Sequence, residues 1–246
     1  TVSGNVGSGT PMPSGKIFGD IGTPGTIIYD TWASVSAAPQ NNLRRLAEIA
    51  YASMIYETAW HDEDNTNYER NPGTNYTTWL FPDTTYDRVS GWLFTLANHL
   101  RAVTKTTAAA NRANSIKTGA RPAGVTVTAT DLDQDGHNEY VLANERVWIT
   151  FEERGGRATQ AYFYDPVAQD AFSFLGTSPI NNPSGQGEEE GIVNASRCSA
   201  FKDTAGGTYA DAVYNVVTGA SSITFTSPDG KIVKTISLTS GSNTVN

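Results

Sequence analysis

Along the first 26 residues apolar and polar positions follow no period, and Gly, Pro, Ser and Thr dominate. Such a stretch predicts an extended lead-in, or a loop packed on something else. A helical period begins near residue 41. Leu43, Leu46, Ala47, Ala50 and Met54 recur at helical spacing, with Asn41 or Asn42 placed to cap the start, so the pattern predicts a helix over residues 41–60. Residues 61–77 are polar and rich in Asp, Asn and Gly. A second helix is expected from Asp83 or Thr84, where Val89, Trp92, Leu93, Leu96, Ala97, Leu100 and Val103 draw an apolar stripe several turns long. Two consecutive amphipathic helices predict an antiparallel hairpin, and a connection this long is usually a binding loop or disordered.

Residues 108–123 read as a fading helix that becomes a polar linker containing Gly119 and Pro122, after which the period changes to two. Val125, Val127 and Ala129 alternate with threonines. Tyr140 and Leu142 follow, then Val147, Ile149 and Phe151, a turn at Gly155 and Gly156, and Ala161 with Phe163. This is the pattern of a meander of hairpins. Residues 178–207 read as a long loop, and strands are expected to resume near Tyr209, with Ser227, Pro228, Asp229 and Gly230 as a hairpin turn. The fold class expected is α+β: an antiparallel helical hairpin followed by an antiparallel β-sandwich. Three segments result: a lead-in over 1–40, a helical hairpin over 41–118 and a sandwich over 119–246. At Thr244, Val245 and Asn246 a further strand begins without a visible partner. The sandwich is therefore expected to be incomplete, with the natural polypeptide continuing.

Composition narrows the function classes. The chain of 246 residues carries a net charge of −8 and no Lys/Arg cluster, which disfavours nucleic acid. No apolar run approaches the roughly 20 residues that span a bilayer. The lone cysteine, Cys198, excludes an internal disulfide, so the fold must rest on its core. Few Lys and Cys beside many Thr, Asn and Gly suit a secreted bacterial protein, and a start on Thr1 suits removal of something upstream.

The sharpest chemical motif lies at residues 131–139 (DLDQDGHNE). Carboxylates at alternate positions followed by Gly let a tight loop turn its oxygens onto one hard cation. Asp131, Asp133 and Asp135 match the start of a calcium loop, with the carbonyl of His137 as a further ligand. An EF-hand would close with a Glu about six residues after the Gly and be flanked by helices. Glu145 falls too late and strands flank the loop, leaving a shorter Ca2+ loop, or a turn whose aspartates cap backbone amides without metal. Glu57, Trp60, His61 and Trp79 cluster around the long polar connection. They form either one wall of a sugar cleft, since Trp faces stack on sugars, or a Trp-rich core between helices. His61, Asp62, Glu63, Asp64 and His99 lack the spacing of a zinc site, and Glu188, Glu189 and Glu190 read as a solvated charge run.

Residues 50–61 (AYASMIYETAWH), with Trp92 and residues 98–101 (NHLR), resemble the helical segment after the barrel in family 57 glycoside hydrolases, of the amylopullulanase and 4-α-glucanotransferase type. Residues 131–144 (DLDQDGHNEYVLAN) and 147–156 (VWITFEERGG) resemble the opening of the β-sandwich appended to those enzymes, and residues 234–238 (KTISL) are similar to a late strand of mutarotase-like sandwiches. The resemblance implies the C-terminal part of a secreted enzyme acting on α-glucans through two carboxylates in a retaining mechanism. Those carboxylates belong to the family's barrel, which this chain does not contain. It implies a non-catalytic role here: no catalytic residue, the remainder of the parent polypeptide as partner, and sugar contacts from the helices. The alternative is a calcium-stabilised carbohydrate-binding or cell-surface structural module.

Overall fold

The computed structural model describes residue 22 and residues 24–60, 91–121, 123–134, 137–176, 200, 201, 203, 209 and 212–246, with only the backbone at 57–60 and 91–99. Among these residues stand three helices, α1 (Ile27–Ala37), α2 (Asn42–Trp60) and α3 (Gly91–Lys117). The expected α+β class holds, with helices on one side of two antiparallel sheets.

Helix α1 lies within the segment read as an extended lead-in. Its inner positions, Ile27, Ile28, Thr31 and Val35, keep helical spacing and are buried, but all four are β-branched in a chain rich in such residues, so the period is faint in sequence. Thr26 caps the helix by accepting from the Tyr29 amide at 3.4 Å. Docking decides its state: the Tyr51 hydroxyl donates to the Ile28 carbonyl at 3.1 Å, and the Ser34 and Thr107 hydroxyls bond to each other.

Helix α2 starts as expected, with Asn41 Oδ1 accepting the Arg44 amide at 3.0 Å. Leu43, Ala47 and Tyr51 form its buried line, whereas Leu46 and Ile49 face outward. Helix α3 does not fade at 108 but runs to Lys117, closed by Gly119 at φ 69°. Ala109, Ala110 and Ala113 are buried against the sheet. Small side chains let a helix lie close to a sheet, and they weaken the very stripe that marks a helix in sequence. The connection between α2 and α3, read as a long polar loop, lies outside the described residues.

The larger sheet is a meander of β1 (Thr126–Thr130), β2 (Glu139–Ala143), β3 (Val147–Glu152), β4 (Arg157–Asp165) and β5 (Asp170–Gly176), hydrogen-bonded in that order. The smaller sheet pairs β6 (Asn215–Thr218), β7 (Ser222–Thr226) and β8 (Val233–Ser237). Alternation sorts the larger sheet's side chains. Val141, Ala143, Trp148, Tyr162 and Tyr164 pack with Leu43, Ala109, Ala110 and Ala113 of the helices. Leu142, Val147, Ile149, Phe151 and Ala161 pack with Ile223, Phe225 and Ile236 of the smaller sheet. Covering both faces explains why β3 and β4 read as nearly continuous apolar or small runs. The register of β3 on β4 shifts at Thr150/Phe151, and that of β4 on β5 at Ala161/Tyr162.

Two polar anchors join the layers. Lys234 Nζ donates to the carbonyls of Gly155 and Phe201 and to Asp203 Oδ2, at 3.0, 2.6 and 2.6 Å. Gly156, at φ 51°, has no room for a Cβ, which would stand 2.8 Å from Lys234 Cε. At the β2–β3 turn, Asn144 Nδ2 donates to the carbonyls of Thr239 and Ser242 at 2.7 and 2.8 Å, holding the C-terminal segment. That segment doubles back so that Asn246 and Ser237 exchange backbone hydrogen bonds of 2.7 and 3.0 Å. Around Tyr209 the described residues pair at two isolated bridges, Ala200 with Ala158 and Val213 with Arg154, and β6 follows.

Candidate metal centre

The loop between β1 and β2 leaves the edge strand at Asp131 and re-enters the sheet at Glu139. Gln134 takes a left-handed φ of 60° there, a conformation that tightens the loop. Strand alternation puts Glu139 on the same face as Val141 and Ala143, the face covered by helices. Asp131 is exposed while Asp133 and Glu139 are buried, and one carboxylate oxygen from each lies within 4.8 Å of the others. Oxygens on one Ca2+ shell, each about 2.4 Å from the ion, are at most about 4.8 Å apart. The three residues therefore fit a single hard cation by spacing and by ligand type.

Helix α3 presents a side-chain cation from beneath. Lys105 Nζ lies 2.9 Å from Asp133 Oδ2, 2.9 Å from Glu139 Oε1 and 3.0 Å from Glu152 Oε1, and its side chain is 1% exposed. Burial alone drags the pKa of an ammonium down, but the fields of Asp133, Glu139 and Glu152 outweigh it and hold Lys105 well above the ordinary lysine value. Lys105 is thus a fixed positive charge. Around it, the Thr104 hydroxyl lies 2.6 Å from the Leu132 carbonyl, and Glu139 Oε2 accepts the Leu132 amide at 2.6 Å, so helix and loop are locked together. Arg101, one helical turn before Lys105, is also buried, and Arg157 stands opposite Glu152 in the β3–β4 register.

The expected metal residues are placed unevenly. Asp131 and Asp133 converge as expected. His137, expected to offer its carbonyl, has its ring Nδ1 3.4 Å from Glu153 Oε1 at a half-exposed position. Asp135 lies outside the described residues. Of the expected sugar-cleft residues, Glu57 and Trp60 lie in α2 where only the backbone is described, and His61 and Trp79 lie outside the described residues. Sequence reasoning passed over Glu139 as a ligand and missed Lys105 and Glu152. A signal for Glu139 existed, because a carboxylate on the inward face of a strand needs a buried partner. Lys105 carried one too, since Arg101, Lys105, Ala109 and Ala113 follow one another at four-residue steps and share a buried face.

The chain matches no family model, no curated protein and no solved structure. Among the described residues, no helix is long and apolar enough to cross a membrane. The functional reading therefore rests on the geometry of this loop.

Proposed function

We propose that this chain is a calcium-stabilised carbohydrate-binding or cell-surface structural module of a secreted protein, its two sheets forming a β-sandwich with a helical hairpin on one face. The carrying observation is the convergence of Asp131, Asp133 and Glu139 oxygens at one spot on the loop. Lys105 holds the inner side of Asp133 and Glu139, which leaves Asp131 as the solvent-side ligand that closes the shell around Ca2+. In this reading the ammonium pre-orients the carboxylates and the ion rigidifies the loop.

Thermal unfolding in EDTA, in millimolar Ca2+ and in millimolar Mg2+ tests this directly. Ca2+ at about 100 times its Kd adds about 2.7 kcal/mol, or roughly 5–10 °C in Tm for a domain of this size. Asp131→Asn should abolish most of that shift while changing the Tm in EDTA by much less, because Asp131 is exposed. A wild-type Tm indifferent to Ca2+ would sink the cation reading and leave the loop as a turn closed by Lys105 alone.

A second reading, a non-catalytic C-terminal portion of an α-glucan-active glycoside hydrolase that supports a catalytic barrel, is supported by the order of elements. Helices precede the sheets and pack on one of them, as the family resemblance implies. Here the chain alone should release no reducing sugar from starch, pullulan or maltooligosaccharides, and turnover by it would count against this reading.

A further inference from the structure

Lys105 is a primary amine sealed into the protein with an acyl group at contact distance. Its Nζ lies 2.9 Å from Asp133 Oδ2, and both side chains are 1% exposed. Glu139 Oε1 and Glu152 Oε1 stand on the same nitrogen at 2.9 and 3.0 Å. Helix α3 supplies the amine and the β1–β2 loop supplies the acyl group. The residues next to them are tied together as well, because the Thr104 hydroxyl donates to the Leu132 carbonyl at 2.6 Å. Amine and acyl group are thus held face to face by the fold on both sides.

Three features of this arrangement favour condensation over a lasting ion pair. Well-oriented groups on one framework reach effective concentrations of roughly 10⁵–10⁸ M. Two charges taken out of water carry a desolvation penalty that a neutral amide escapes. Exclusion of solvent also withholds the water that would hydrolyse the amide back. Of the three carboxyl groups, Asp133 fits the acyl partner best. Glu152 is 12% exposed and within reach of water. Glu139 is buried, but its Oε2 accepts the Leu132 amide at 2.6 Å, which favours the carboxylate form and keeps Oε1 on the Lys105 nitrogen.

We propose that Lys105 and Asp133 join in an intramolecular isopeptide bond, with Glu139 as the proton carrier. Glu139 takes a proton from the ammonium, and the freed amine attacks Asp133 Cγ. The Nζ–Cγ bond forms and one Cγ–Oδ bond breaks. That oxygen leaves as water with two of the ammonium's three protons, and the amide keeps the third. No oxidant, reductant or activated co-reactant is needed. The bond staples α3 to the β1–β2 loop in a chain whose single cysteine excludes an internal disulfide, and a covalent ring restricts the unfolded chain. It also neutralises the ammonium beside Asp133 and Glu139, lifting its repulsion of a cation in the loop. The bond does not require that cation, so the two readings fail separately.

Intact mass spectrometry of the full chain, folded in EDTA and denatured before injection, tests the bond. The wild type should weigh one water less than its sequence. Tandem spectra of a digest should place that loss in a branched peptide joining residues 105 and 133, not in a cyclised aspartate. Asp133→Asn should lose one ammonia instead, because the amine then displaces the amide nitrogen. Lys105→Met should keep its full mass. Glu139→Gln should stay mostly at full mass while retaining the near-ultraviolet circular dichroism of the wild type. A wild-type chain at its full sequence mass would overturn the proposal, and so would a water loss that persists in Lys105→Met. Complete bond formation in Glu139→Gln would overturn the role given to Glu139.

Discussion

An ammonium taken out of water costs several kcal/mol unless close carboxylates and hydrogen bonds compensate it, and Lys105 shows such compensation in full. Three carboxylates stand within 3.0 Å of its nitrogen, and the cluster sits where helix, loop and sheet meet. Replacing Lys105 by Met keeps the length of the side chain and removes its charge, leaving buried carboxylates facing one another. The expected loss is about 3–5 kcal/mol of unfolding free energy, measured by urea denaturation. Adding Glu139→Gln to Lys105→Met should recover part of it by deleting one orphaned charge. A loss under about 1 kcal/mol for the single variant would show that Arg101 and Arg157 already balance the cluster.

At the level of elements, the β2–β3 turn does more than reverse the chain. Glu145 gathers the segment before β1 and the segment after β8. Burial is the largest single influence on Glu145 and raises its pKa, but the hydrogen bonds from Ser240, Gly241 and Gly124 together prevail and bring it from 4.5 to about 2. A carboxyl depressed in the folded state contributes stability that is fully present above its unfolded value and is lost as pH falls through the folded one. The Tm gap between wild type and Glu145→Gln should therefore be full at pH 6 and shrink as pH falls from 4.5 to 2. A gap independent of pH would mean that Glu145 acts through shape alone. The strands themselves were legible because alternation survives in Val125, Val127, Leu142, Val147 and Ile149. Strand β5 was not, since Phe172 and Phe174 point outward at 44% and 62% exposure and the pattern there offers no buried stripe.

For the molecule as a whole, one sheet serves two cores. Its helix-facing side carries Trp148, Tyr162 and buried polar groups, and its other side carries a mainly apolar cluster shared with the smaller sheet. Charge is segregated along α3, with carboxylates gathered at Lys105 and Arg121 beside Arg112 further along.

The sequence by itself determined the α+β class, the cap of α2, the order and turns of most strands, and the aspartate loop as a place where carboxylates converge. Each of these is written in local spacing: a period of 3.6 or 2, a Gly-Gly turn, carboxylates at alternate positions. Only the tertiary structure decided that residues 27–37 are helical, that α3 continues through its alanines, and that Lys105 and Glu139 join the loop. Those outcomes depend on partners far along the chain, Tyr51 for α1, the sheet for Ala109 and Ala113, and Asp133 for Lys105. A helix rich in β-branched or small residues gains its stability from what it packs against, and a buried charge gains its partner only when the chain has closed around it.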